Sequence, residues 1–90
     1  MTATHHEKRR EPRDAAEGSV HIRLSNPQPL EISGRLLDIS TGGFRMAHDC
    51  RLLTAGLIVE FTHQGGGGQA RVVWTRILAA NVESGFLVTP

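Results

Sequence analysis

Val20, Ile22 and Leu24 alternate with Ser19, His21 and Arg23, the period-two pattern of a strand with one buried face. The same period returns along the chain. Leu30, Ile32 and Leu36 carry it after the turn-rich stretch Ser25-Asn26-Pro27-Gln28-Pro29, where proline and asparagine favour a reversal. Phe44 and Met46 begin a third run, Leu57, Val59 and Phe61 a fourth, Ala70, Val72 and Trp74 a fifth, and Phe86 and Val88 a sixth. No segment carries the 3.6-residue period of a helix. Six short strands separated by turn signals predict an all-β fold, a small six-stranded antiparallel β-barrel. Closure of the sheet also removes exposed strand edges.

One irregularity stands out. After Gly34, Leu37 and Ile39 occupy the parity opposite to Leu30, Ile32 and Leu36. A phase change beside a glycine predicts a bulge or bend just before Asp38. The stretch from His48 to Gly56 reads as a longer connection, and His63 to Gly68 as a flexible hairpin loop. Residues 1–17 show no apolar period and carry charge and Pro12; they read as a mobile arm ahead of a barrel spanning residues 18–90.

A chain of 90 residues supplies one domain with a small core. Three phenylalanines, one tryptophan and no tyrosine leave Val, Ile and Leu to provide most of the buried surface. A single cysteine, Cys50, excludes an internal disulfide; with no apolar leader this suggests the cytoplasm. The apolar run at Leu57-Ile58-Val59 is too short for a bilayer. The net charge of +1 is uninformative, but Lys8, Arg9, Arg10 and Arg13 cluster in the arm.

Two short motifs point to a ligand. Arg9-Arg10-Glu11-Pro12-Arg13 spaces two arginines four residues apart, and Asp38-Ile39-Ser40-Thr41-Gly42-Gly43 sets an acid, a hydroxyl and glycines on a turn. Guanidinium forks bind phosphate bidentately and stack on purine faces, while a carboxylate and a hydroxyl satisfy the donors of a base or sugar. Either motif alone is ordinary: charge runs are solvated, and Asp, Ser and Gly form turns. Together they flank one antiparallel strand pair, which returns the chain to its starting edge.

The combination R-x-x-x-R, then D-x-S-x-x-G, resembles the PilZ domain, a bacterial receptor module for cyclic di-GMP. The resemblance runs from Glu7 to about Val88. It implies that Arg9 and Arg13 grip the phosphates and contact the guanines. It implies further that Asp38, Ser40 and Gly43, with Gly42 beside them, line one guanine and its sugar. Lys8 stands where a basic residue accompanies binding of two stacked ligands, and Arg10 either adds a phosphate contact or faces water. Many members carry a helix after the last strand; this chain stops at Pro90, so dimerisation through such a helix is not expected. The expected partners are cyclic di-GMP and an unidentified downstream protein, with no cofactor, no specific nucleic acid and no membrane insertion.

Other classes fit less well. The histidines His5, His6, His21, His48 and His63 lack metal-ligand spacing. No base is tied to Ser40, as a hydrolase would need. Gly65 to Gly68 lacks the Lys-Ser/Thr of a phosphate loop, and Trp74 reads as core. A PilZ-like adaptor without nucleotide, or a small single-stranded nucleic-acid binder of the OB type, remains the alternative.

Overall fold

The computed structural model describes residues 14–15 and 17–89. The basic residues Lys8, Arg9, Arg10 and Arg13, and the expected mobility of the segment that carries them, lie outside the described residues. Seven strands follow one another: β1 (Asp14–Ala15), β2 (Ser19–Leu24), β3 (Leu30–Ser40), β4 (Gly43–His48), β5 (Ile58–His63), β6 (Gly66–Ile77) and β7 (Val82–Thr89). Among the described residues there is no helix, and so none long and apolar enough to cross a membrane.

The six longer strands close into an antiparallel barrel in the order β3-β2-β5-β6-β7-β4, with β4 pairing back onto β3. The long β3 makes closure possible. Residues Leu30 to Arg35 pair with β2, and Arg35 to Ser40 pair with β4. Past the end of β2, the two-residue β1 takes over the same edge, with Asp14 opposite Ile39 and Ala15 opposite Asp38. The sheet therefore begins inside the segment that composition marks as an arm.

The alternating residues fill the barrel. Val20, Ile22, Ile32, Leu36, Phe44, Met46, Val59, Phe61, Ala70, Val72 and Phe86 are all buried. Phe44 sits at the centre, stacked on Phe86 at 4.7 Å and tilted against Phe61 at 4.8 Å; paired rings add roughly 0.5–1.5 kcal/mol beyond their burial. Leu53, from the connection between β4 and β5, is fully buried as well.

Two expectations are corrected. The glycines after Gly65 do not form an open loop: Gly66, Gly67 and Gly68 belong to β6 and pair with His63, Thr62 and Phe61. Gly66 (φ 137) and Gly68 (φ 154) adopt backbone conformations that a side chain rarely tolerates, which is why the strand continues there in glycine. Trp74 is not core. It is half-buried and outside the apolar cluster, because β6 carries a bulge between Val72 and Trp74. The extra residue, Val73, reverses the parity that Ala70 and Val72 establish.

A polar chain pins the β4–β5 connection to the barrel, and its direction follows from donor counting. The Cys50 N–H donates to His48 Nδ1 (3.0 Å), so the neutral ring carries its proton on Nε2 and donates to Ser84 Oγ (2.7 Å). Thr75 Oγ1 must donate to the Leu53 carbonyl, so it accepts from Ser84. This polarity makes His48 a donor toward Ser84, the wrong sense for activating a serine nucleophile. Burial also holds the His48 pKa below its ordinary value, with Asp49 opposing weakly.

A folded pKa below the unfolded one contributes stability that is present above about 6.5 and is lost as pH falls through the window beneath it. The urea midpoint should therefore be lower at pH 5.5 than at pH 7.5. His48→Gln, which keeps a donor for Ser84, should remove part of that difference. His63, which burial also shifts down, contributes in the same direction. An equal midpoint at the two pH values would contradict the neutral, donor-fixed His48.

Candidate functional site

The bulge expected before Asp38 is present, between Leu36 and Asp38 on β3. Leu36 points into the barrel, and the extra residue Leu37 turns Asp38 to the outer face, where its cross-strand partner is Arg45. The register then runs straight across the sheet: Ala15 opposite Asp38, Asp38 opposite Arg45, Arg45 opposite Gly85, and Gly85 opposite Trp74. Directly opposed residues share a face and lie about 4.5–5.5 Å apart at Cβ. Two bulges, one on β3 and one on β6, thus bring an acid, a guanidinium and an indole into a single row on the outside of the barrel.

Each member is fixed by its neighbours. Arg45 Nε and Nη2 both reach Asp38 Oδ2, at 2.7 and 2.5 Å. Asp38 is buried, while the Arg45 side chain keeps about a third of its surface. The hydrogen bond to Asp38 raises the Arg45 pKa above its already high ordinary value, with smaller help from Glu83. Gly85 matters through what it lacks. A Cβ there would lie 2.4 Å from Trp74 Nε1, so the bare β7 backbone is where the indole rests. On the indole's own strand, the Arg76 guanidinium carbon sits 5.1 Å from the ring centroid, within cation–π range.

The turn of the second motif borders this row. A cavity of about 200 Å3 is lined by Ser40, Gly43, Arg45, Val73, Trp74 and Leu87. Ser40 Oγ donates to the Gly43 carbonyl only at 3.5 Å, the long limit of a hydrogen bond, which leaves the hydroxyl weakly engaged. Gly42 offers its carbonyl to the Val88 N–H (2.8 Å). Gly43 is required by the barrel itself, since a Cβ there would meet the Phe86 carbonyl oxygen at 2.0 Å.

The structure therefore gathers Asp38, Ser40, Gly42 and Gly43 on one turn. Arg45, Trp74 and Arg76 join them unannounced by the sequence. Arg45 fills the ordinary polar slot between Phe44 and Met46, and the Val73 bulge hides Trp74. Guanidinium groups beside a half-exposed indole suit a ligand that combines negative charge with a flat ring. Among the described residues, no group of three or more His, Cys, Asp or Glu side chains is placed to hold a metal ion. Compared with known proteins, the chain matches no protein-family model, and no curated protein matches it significantly.

Proposed function

We propose that this protein is a PilZ-type receptor for cyclic di-GMP, bacterial and cytoplasmic, which binds the ligand between its arginine arm and the Asp38–Gly43 turn. The observation that carries the reading is the register of β1. Asp14 lies opposite Ile39 and Ala15 opposite Asp38, and the residue before Asp14 in the chain is Arg13. Arg13 and Asp38 are 25 positions apart in the sequence, yet the strand that begins directly after Arg13 runs beside the one that carries Asp38. Asp38 contributes to the site as the anchor of Arg45, and Trp74 supplies a flat apolar face next to the turn.

In this reading the ligand acts as a bridge. Fixing each arm residue costs backbone entropy of roughly 1–2 kcal/mol. Charge-assisted bonds from Arg9 and Arg13 to two phosphates, with stacking on their guanidinium planes, offset that cost. The ordered arm then presents a new surface to a downstream protein, and no step requires an enzyme's machinery or a cofactor.

An OB-type binder of single-stranded nucleic acid gains only Trp74 from the structure. Phe44, Phe61 and Phe86 are buried in the core, so no series of outward aromatics is available for successive bases. A nucleotide-free adaptor would leave the half-exposed Trp74 row for a protein partner instead.

Calorimetry with cyclic di-GMP tests the proposal, with GTP and a short oligonucleotide as controls. The single tryptophan offers a second readout, because ligand at the turn should alter Trp74 emission. Saturable heat with cyclic di-GMP, a matching emission change and little response to the controls is the expected result. Asp38→Ala should weaken binding about tenfold or more, through loss of a charged hydrogen-bond partner. Oligonucleotide bound as well as cyclic di-GMP would defeat the receptor reading.

A further inference from the structure

A second cavity, of about 240 Å3, lies on the other side of the same turn, in the mouth of the barrel. Ile39, Phe61 and Val88 give it apolar walls, and Ser40, Thr41 and His63 are its polar side chains. Ser40 borders both this cavity and the one beside Trp74. At this size the mouth is smaller than pockets for drug-sized ligands, roughly 300–1,000 Å3, and suits a single flat ring system.

His63 is held in one orientation and one tautomer. Its ring meets Phe44 edge-on at 4.9 Å and Phe61 at 5.1 Å. The Gly65 N–H donates to its Nδ1 (2.9 Å), so the neutral ring carries its proton on Nε2 and offers a donor there. Gly65 itself has no positive φ to demand glycine. A Cβ at that position would sit 3.1 Å from His63 Cε1 and 3.6 Å from Ile39 Cδ1. The missing side chain leaves the gap between His63 and Ile39 open.

We propose that the barrel mouth is a guanine subsite, with His63 Nε2–H donating to the base's O6 and thereby selecting guanine over adenine. This rests on the cyclic dinucleotide reading above and names its specificity residue. Guanine presents O6 and N7 as acceptors on one edge, whereas adenine presents an amino donor where guanine has O6. A donor fixed against O6 therefore opposes another donor when adenine takes the same pose. Phe61 and the apolar walls cover the ring, and the hydroxyls of Ser40 and Thr41 complete the polar contacts.

The test compares cyclic di-GMP with cyclic di-AMP on the full chain. The parent should prefer cyclic di-GMP. His63→Phe keeps an aromatic ring against Phe44 and Phe61 but removes the donor; the preference should fall by about tenfold, the scale of one buried hydrogen bond left unmade. Gly65→Val, which narrows the mouth, should lower cyclic di-GMP affinity at least fivefold while the melting temperature holds. An unchanged preference in His63→Phe, or full affinity in Gly65→Val, overturns the subsite and leaves the receptor reading standing. Failure of the parent to bind either dinucleotide overturns both.

Discussion

Gly43→Ala should lower the melting temperature by about 10 °C or more, whereas its neighbour Gly42→Ala should leave it nearly unchanged. The added methyl at position 43 would lie 2.0 Å from the Phe86 carbonyl oxygen and 3.1 Å from its carbon. Both are backbone atoms of β7, which is paired on one side to β4 and on the other to β6. No rotamer change relieves that overlap, so the barrel must shift a strand. Overpacking of this kind costs about 1–3 kcal/mol, and more where backbone is struck, against a total stability of about 5–15 kcal/mol.

At position 42 the new Cβ would find only Leu87 Cδ1, at 3.5 Å, and φ there is not in the left-handed region. Thermal melts of the two variants separate the roles of adjacent glycines. Equal melting temperatures would show that β4 and β7 are not packed this tightly at the turn.

Arg9→Ala and Arg13→Ala should each reduce cyclic di-GMP affinity about ten- to a hundredfold, with the barrel intact. Each change removes a bidentate fork and a stacking plane, and a hydrogen bond to a charged group contributes about 1.5–3 kcal/mol. The control is Arg23→Ala. Arg23 is paired with Glu60 at 2.8 Å across β2 and β5, away from the Asp38 turn, and its loss should change affinity less than about twofold, as for surface pairs generally. Arg76 is a poor control, because it lies over Trp74.

Salt supplies an independent reading. A compact ligand with two phosphates should show a shallow dependence, whereas a long polyanion releases many counterions and weakens steeply. Similar losses at Arg9, Arg13 and Arg23, together with a steep salt slope, would mark nonspecific polyanion binding.

The barrel was legible in the sequence because its strands bury one face each, and alternation records that directly. The bulge at Leu37 was legible for the same reason: Leu37 and Ile39 visibly break the phase of Ile32 and Leu36. The bulge at Val73 was not. Valine is itself apolar, so the series Ala70, Val72, Trp74 keeps an unbroken period while the backbone loses register. Arg45 gave no signal either, since a polar residue between Phe44 and Met46 is what any half-buried strand contains. Its importance comes from the partner across the sheet, and cross-strand partners are a tertiary fact. The two residues of β1 are too few to carry any period, and the burial of Leu53 depends on the Thr75–Ser84–His48 chain that draws its connection inward.

For the proposed receptor, the pairing of Asp14 and Ala15 with β3 would also set how binding responds to dilution. Arg9 lies four positions before Arg13, a reach of at most about 14 Å. Both guanidinium groups are thus leashed to the barrel rather than drawn from bulk solution. A leash this short corresponds to an effective concentration on the millimolar scale, available to every ligand that lands on the turn. The same arginines supplied as a free peptide would have to be added at comparable strength to match it. A chain cut between β1 and β2 would keep every contact residue yet bind with an affinity that depends on how much of the severed piece is present.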